Sequence, residues 1–239
     1  MNILLVSPHK KSQSGDYQIT ADQYHHLVKT LKVEVGQNIF AGEIGGKMGH
    51  SPITEITSSH ITLRPNFDTD PPTAPPIKLV IALPRPKMLK RILRSVSMLG
   101  VKEIYLINTY KVEKSFWQTQ VLQNKYYERY FHEGLTQAKD TIMPSLKIYK
   151  KFKPFVEDEL PKIIQATTPI VAHPGNYPKF PQGINSPMTL VIGPEGGFTE
   201  YEVNLLRQNG MSVYQCGERI LRMETAVTAL ISQHYSFLN

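Results

Sequence analysis

The chain has 239 residues, 41% of them hydrophobic and 20% charged, a balance that excludes the disordered class and supplies a core for one large or two modest domains. Its one cysteine, Cys216, excludes a disulfide framework or a cysteine-rich zinc site and fits a reducing compartment. The 27 basic and 20 acidic residues leave a net charge of +7, which invites a polyanionic partner such as nucleic acid, although a mildly basic enzyme with solubilising lysines has the same balance.

In chain order, Ile3–Val6 opens without the basic leader of a signal peptide and reads as a strand. A helix is expected over about Thr20–Leu31, where Tyr24, Leu27, Val28 and Leu31 recur at helical spacing. Gln37–Ala41, Ile53–Ile56 and His60–Leu63 read as strands, with Gly45–Gly49 as a hairpin loop between two of them, so the first 70 residues predict a small β-barrel. Residues 71–76 then carry four prolines, which stiffen a linker and exclude a helix or central strand.

Beyond the linker, 77–239 alternates strand and helix. The strands are Ile77–Leu83, Ile104–Ile107, Pro169–Ala172, Thr189–Ile192 and Ser212–Gln215. The helices are Lys87–Leu99, Lys125–Lys139, Phe155–Gln165, Glu200–Asn209 and about Glu224–Tyr235. That order predicts a parallel α/β sheet covered on both faces. No stretch is apolar for long enough to span a membrane, and the expected location is the cytoplasm, with no membrane partner.

Two βα loops concentrate the chemistry. In the first, a buried strand enters Gly193-Pro194-Glu195-Gly196-Gly197, and a capping box, Thr199-x-x-Glu202, opens the next helix. Glycines there let backbone approach a ligand, and the carboxyl ends of parallel strands are where ligands gather. An ordinary tight turn has the same glycines. In the second, Cys216-Gly217-Glu218-Arg219-Ile220-Leu221-Arg222-Met223-Glu224-Thr225-Ala226 also runs from strand to helix, and Arg219 and Arg222 share a face if this is a helical turn. A surface ion pair is the plain alternative.

His173-Pro174-Gly175 follows a strand and either lines the same pocket or makes a turn. His25-His26 reads as a surface pair, and Phe116 and Trp117 as core. Arg85, Lys87, Lys90, Arg91 and Arg94 form a basic stripe that suits phosphate contacts or merely a solvated helix face. No Walker A, GxGxxG, HExxH or EF-hand pattern is present, and no metal site is expected.

Ile192–Gly197 and Gly217–Ala226 together resemble the signature of the bacterial 16S rRNA (uridine-N3) methyltransferases, the RsmE family of the SPOUT class. The resemblance extends over nearly the whole chain through His25–Val33, Val35-Gly36-Gln37, Leu99-Gly100-Val101 and Pro144. It departs from the family pattern at Lys32, Met98, Thr136, Asp140 and Met223.

The resemblance implies a SPOUT-type, trefoil-knotted parallel sheet behind an N-terminal PUA-like β-barrel that binds RNA. It also implies a homodimer whose sites the partner subunit completes, and S-adenosylmethionine as cofactor. Carried onto this sequence, the cofactor residues are His173, Pro174, Gly193, Pro194, Glu195, Gly196, Gly197, Cys216, Gly217, Ile220, Leu221, Arg222, Thr225 and Ala226. The expected activity is methylation of N3 of a uridine in 16S rRNA of the small ribosomal subunit, with rRNA held by Lys32, Arg85, Lys87, Arg91 and Arg219.

Uracil N3 must lose its proton, and charge on O2 and O4 must be stabilised; Arg222 is the candidate for the charge and Glu224 for the base or an orienting group. Three alternatives stand beside this reading: methylation of another RNA nucleotide, a non-catalytic RNA-binding relative, and a phosphate-ligand enzyme using Gly193–Thr199 as an anion cradle.

Overall fold

The computed structural model describes residues 2–233, and the chain divides into two compact units. Unit one comprises Met1–Pro72 with Leu135–Met143; unit two comprises Thr73–Gly134 with Pro144–Asn239.

In unit one, strands β1 (Leu4–Val6), β2 (Tyr17–Ile19), β3 (Asn38–Glu43), β4 (Met48–Ile56) and β5 (Ile61–Leu63) form a barrel-like sheet in the order β1-β3-β4-β5-β2. β1 pairs in parallel with β3 and the other neighbours are antiparallel. Leu4, Val6, Tyr17, Ile19, Leu27, Ile53, Ile61 and Leu63 fill its core. Tyr17–Ile19 escaped the sequence reading because only Tyr17 and Ile19 mark its buried face.

β4 starts five residues earlier than expected, absorbing Gly49 as a strand residue. A Cβ at Gly49 would lie 2.0 Å from the Asn66 carbonyl oxygen, so a crossing backbone, rather than a turn, requires the glycine. The expected helix is a short α1 (Ala21–His25) that widens into a π-helical turn over His26–Leu31 and stops at Lys32, whose φ is 51°. His26 is half-buried within it, which corrects the reading of His25-His26 as a plain surface pair.

Unit two contains β6 (Ile77–Ala82), β7 (Glu103–Ile107), β8 (Ser145–Tyr149), β9 (Thr168–Ala172), β10 (Met188–Ile192) and β11 (Ser212–Tyr214). They form one sheet in the order β11-β9-β10-β6-β7-β8, every pair parallel, as the strand and helix alternation required. β8 was missed because its residues are exposed or half-buried, giving an edge strand no continuous apolar run.

Helix α2 (Pro86–Met98) buries Leu89, Ile92, Leu93 and Val96, and Gly100 follows at φ 77°. α3 (Asn124–Ala138) contributes to unit two as far as Gly134, where a Cβ would meet the Arg94 carbonyl oxygen at 2.6 Å. The expected helix Phe155–Gln165 is instead α4 (Phe152–Pro154), a π-helical stretch Phe155–Glu159, and α5 (Leu160–Ile163), the register shifting near Pro161. α6 spans Glu200–Gln208 and α7 spans Met223–Ser232. The expected end of the last helix at Tyr235 lies outside the described residues. Among the described residues, no helix is long and apolar enough to cross a membrane.

Candidate active site

The order β11-β9-β10 places three strand ends side by side, and the chain leaves them at Gln215, His173 and Gly193. His173 N–H donates to the Tyr214 carbonyl at 3.0 Å, holding the first two exits together. One pocket opens there. His173, Pro174, Gly193, Pro194, Glu195, Gly197, Cys216, Gly217, Ile220, Leu221 and Ala226 line it, together with Ala172, Ile192, Arg219 and Met223.

Most cofactor positions expected from the resemblance thus meet around one space. Gly196, Arg222 and Thr225 are not on its wall. Arg219, expected on RNA, is on the wall. Ala172, Ile192 and Met223 were missed, although each adjoins a position that was named.

The glycine loop is shaped by its neighbours. A Cβ on Gly193 would come within 2.9 Å of the Phe198 ring. Gly197 has φ 70°, and its N–H closes a turn on the Pro194 carbonyl at 2.8 Å. The Lys111 ammonium donates to the Gly196 carbonyl at 2.7 Å, and Arg85 Nε lies 3.3 Å from the Glu195 carboxylate. The capping box is formed: the Thr199 hydroxyl accepts from Glu202 N–H at 3.3 Å, and the Glu202 carboxylate accepts from Thr199 N–H at 2.8 Å. The same carboxylate, only 3% exposed, accepts from Tyr110 N–H at 2.7 Å, linking the loop after β7 to the start of α6.

His173 is held below the ordinary histidine value by burial, with the nearby Lys111 charge adding to the effect. Its ring is 6.0 Å from that of Phe198. The pocket therefore presents a neutral imidazole, an apolar slot of Ile192, Leu221, Met223 and Ala226, and backbone polar groups at three loop starts. That donor set suits an adenosyl group bearing a cationic sulfonium. The cavity is about 100 Å³, and its outer wall is the exposed stretch Arg219–Leu221.

The second loop is irregular, with bends at Glu218 and Arg219 and no helical turn, so Arg219 and Arg222 do not share a helical face. Arg219 reaches the pocket, whereas Arg222 is the exposed residue before α7. Glu224 is displaced from its expected place: it lines a groove with Arg91, Arg94, Ser95, Met98, Thr225, Thr228 and Ala229. Helical geometry is the reason. Met223 and Ala226, three apart, face the cofactor pocket, and Glu224 and Thr225 are rotated off that face.

The basic stripe is divided in the same way. Lys87 and Arg91 are exposed, whereas Arg94 pairs with Glu133 and stacks 4.8 Å over Tyr130, with Lys90 at 5.9 Å from the same ring. Lys32 is exposed on unit one. Phe116 and Trp117 are half-buried, not core, and no residue of their turn, Lys114–Gln118, is buried.

The family model of the RNA methyltransferase domain matches residues 71–234, and the chain belongs to that family. Across its length it is similar to "Ribosomal RNA small subunit methyltransferase E" of Treponema pallidum, at 28% identity over 216 residues, covering 87% of this chain and 80% of the relative. It is equally similar to "Ribosomal RNA small subunit methyltransferase E 1" of Borreliella burgdorferi, at 28% over 233 residues, covering 96% and 95%. Its fold is that of a Ribosomal RNA small subunit methyltransferase E from Neisseria gonorrhoeae solved bound to S-adenosyl methionine, with a TM-score of 0.74, 17% identity, and 97% and 96% of the two chains covered.

Proposed function

We propose that the protein transfers a methyl group from S-adenosylmethionine to N3 of a uridine in 16S rRNA of the small ribosomal subunit. One observation carries this reading: in a chain of the RNA methyltransferase family, the exits of β9, β10 and β11 converge on one pocket that suits an adenosyl sulfonium. When bound, S-adenosylmethionine supplies a methyl group activated by its sulfonium.

Within the proposal, Ile192, Leu221, Met223 and Ala226 enclose the adenosyl part, and Gly193–Gly197 and Cys216–Gly217 offer backbone donors and acceptors. The neutral His173 adds no further positive charge beside the sulfonium. Ile220 and Leu221, on the exposed wall, move outward to admit the ligand. Gly196 and Thr225, off the wall, act through their neighbours, Gly196 by holding Lys111 at its carbonyl and Thr225 within the first turn of α7.

Arg222, exposed beside the pocket, stabilises charge on uracil O2 and O4 as N3 loses its proton. Glu224 has no place in that step within its own chain. Lys32, Arg85, Lys87, Arg91 and Arg219 hold the rRNA backbone, and Arg85 also fixes the glycine loop through Glu195.

A cytoplasmic homodimer, the trefoil knot, and division into a barrel (1–70), linker (71–76) and methyltransferase domain (77–239) belong to the same proposal. The change of architecture around the prolines supports the division, and the strand order β11-β9-β10-β6 supports the knot.

Calorimetry with S-adenosylmethionine tests the pocket. Saturable binding is expected, weakened by Gly193→Val, whose side chain collides with Phe198. Equal affinity in the two proteins would remove the cofactor from this loop.

A further inference from the structure

A second cavity lies on the same carboxyl edge of the sheet, beyond Phe198. Its volume is about 860 Å³, within the range of ligand sites. The loop after β7 (Asn108–Trp117), the start of α4 (Phe152, Lys153) and the start of α6 (Thr199–Glu202) build it. The Phe152 ring, on this cavity, is 6.2 Å from that of Phe198, which lies 6.0 Å from the His173 ring on the cofactor pocket, so the Phe198 ring stands between the two.

Three features point to what it takes. First, its rim carries aromatic rings in solvent: Tyr110 is 84% exposed and Tyr201 59%, with Trp117 half-buried beside them. Trp117 is held in place by its N–H donating to Asn108 Oδ1 at 2.8 Å. Accessible rings of this kind, one of them fixed by a hydrogen bond, are platforms for flat ligands.

Second, the charge is positive. Lys114 and Lys153 line the cavity, and Lys150 Nζ lies 5.9 Å from the Trp117 ring centre. Its one acidic lining residue, Glu202, is buried and committed to the Thr199 and Tyr110 N–H groups; Glu157, outside the lining, sits 3.7 Å from Lys153 at the surface. Third, Thr109 belongs to the lining, and its buried hydroxyl has no hydrogen-bond partner among the described residues. A polar atom left so costs stability unless a ligand satisfies it.

We propose that this cavity binds an unpaired nucleotide of the RNA substrate next to the one that is methylated. Its base stacks among Tyr110, Trp117 and Tyr201 and hydrogen-bonds the Thr109 hydroxyl, and its phosphate meets Lys114 and Lys153. A target uridine must leave any paired stack to reach the cofactor pocket, and capture of a neighbouring base offsets that unstacking. The inference rests on the methyltransferase reading for the identity of the RNA, but not for the binding itself.

Trp117 is the only tryptophan, so its fluorescence reports the site directly. The full chain is titrated with a single-stranded hexaribonucleotide, and S-adenosylmethionine affinity is measured by calorimetry on the same samples. Saturable quenching that weakens with salt is expected. Tyr110→Ala and Lys153→Ala are each expected to weaken it, the tyrosine by about tenfold or more, with cofactor affinity unchanged.

If cofactor binds but the hexamer does not quench, or if quenching is the same in both variants, the subsite is wrong and the methyltransferase reading stands. Quenching without cofactor binding would keep the subsite and sink that reading. Emission that changes with protein concentration alone, and stops doing so in Tyr110→Ala, would make the face a contact between copies and overturn the proposal.

Discussion

Arg222 and Glu224 are two residues apart in sequence, and the start of α7 places them in different surroundings, Arg222 exposed before the helix and Glu224 on the groove with Arg91 and Arg94. Arg222→Ala is expected to lower single-turnover rate by about a hundredfold or more, the usual cost of one preorganised donor, with cofactor affinity little changed. Glu224→Gln is expected to leave the rate near that of the parent, because Glu224 faces the groove holding Arg91 and Arg94. A rate loss that recovers as pH rises would instead restore Glu224 as the base.

His173 gives a pH dependence of known sign. Its folded value lies below the ordinary 6.5, chiefly through burial, so on acidification the unfolded chain takes up this proton first. Its contribution is therefore nil well above the unfolded value and grows unfavourable as pH falls below it. In urea titrations His173→Gln should flatten the acid side of the stability profile, leaving the part due to His132, which burial also lowers. Cofactor affinity of the parent should fall at lower pH, as His173 titrates through its lowered folded value, since an imidazolium beside Lys111 repels a sulfonium. An acid limb identical in parent and variant would show that folding does not lower the His173 value.

At the scale of elements, the start of α6 joins the two cavities. Thr199→Ala removes the cap bond, and a loss of about 1 kcal/mol in unfolding free energy is expected. Because Glu202 also holds Tyr110 N–H, the variant should loosen the β7 loop and speed hydrogen exchange at Tyr110. Lowered stability with unchanged exchange would mean that the cap and the loop are independent.

This capping box was legible in the sequence because a cap is local: Thr199 and Glu202 sit at fixed spacing, and the helix they start is amphipathic. The parallel sheet was legible for a similar reason, through apolar runs such as Met188–Ile192, buried throughout. The edge strand β8 was not, since half-exposed residues carry no such run. Nor was the π-helical turn at His26–Leu31, whose apolar spacing matches an α-helix. In the site, glycines flagged both loops, but the side of α7 that Glu224 occupies depends on the start of the helix to within one residue. Trp117 was read as core because an isolated tryptophan in sequence gives no sign of the lysines around it.

For the whole molecule, two units of different architecture divide the work in the proposed function. In that proposal the barrel-like unit and Lys87 and Arg91, exposed on α2, would bring rRNA to the protein, and the pocket at the carboxyl edge of the parallel sheet would hold cofactor and base. Positioning by backbone phosphates makes the binding salt-dependent, and chemistry at one nucleotide requires the pocket. Nucleoside mass spectrometry reads methyl transfer to N3 of a uridine without an intermediary. Small ribosomal subunits from cells lacking the gene are incubated with the protein and isotopically labelled S-adenosylmethionine, and the rRNA is digested. Label is expected in 3-methyluridine at one position of 16S rRNA and is expected to be lost in Arg222→Ala. Label in a different nucleoside, or no label from protein that binds cofactor, would contradict it.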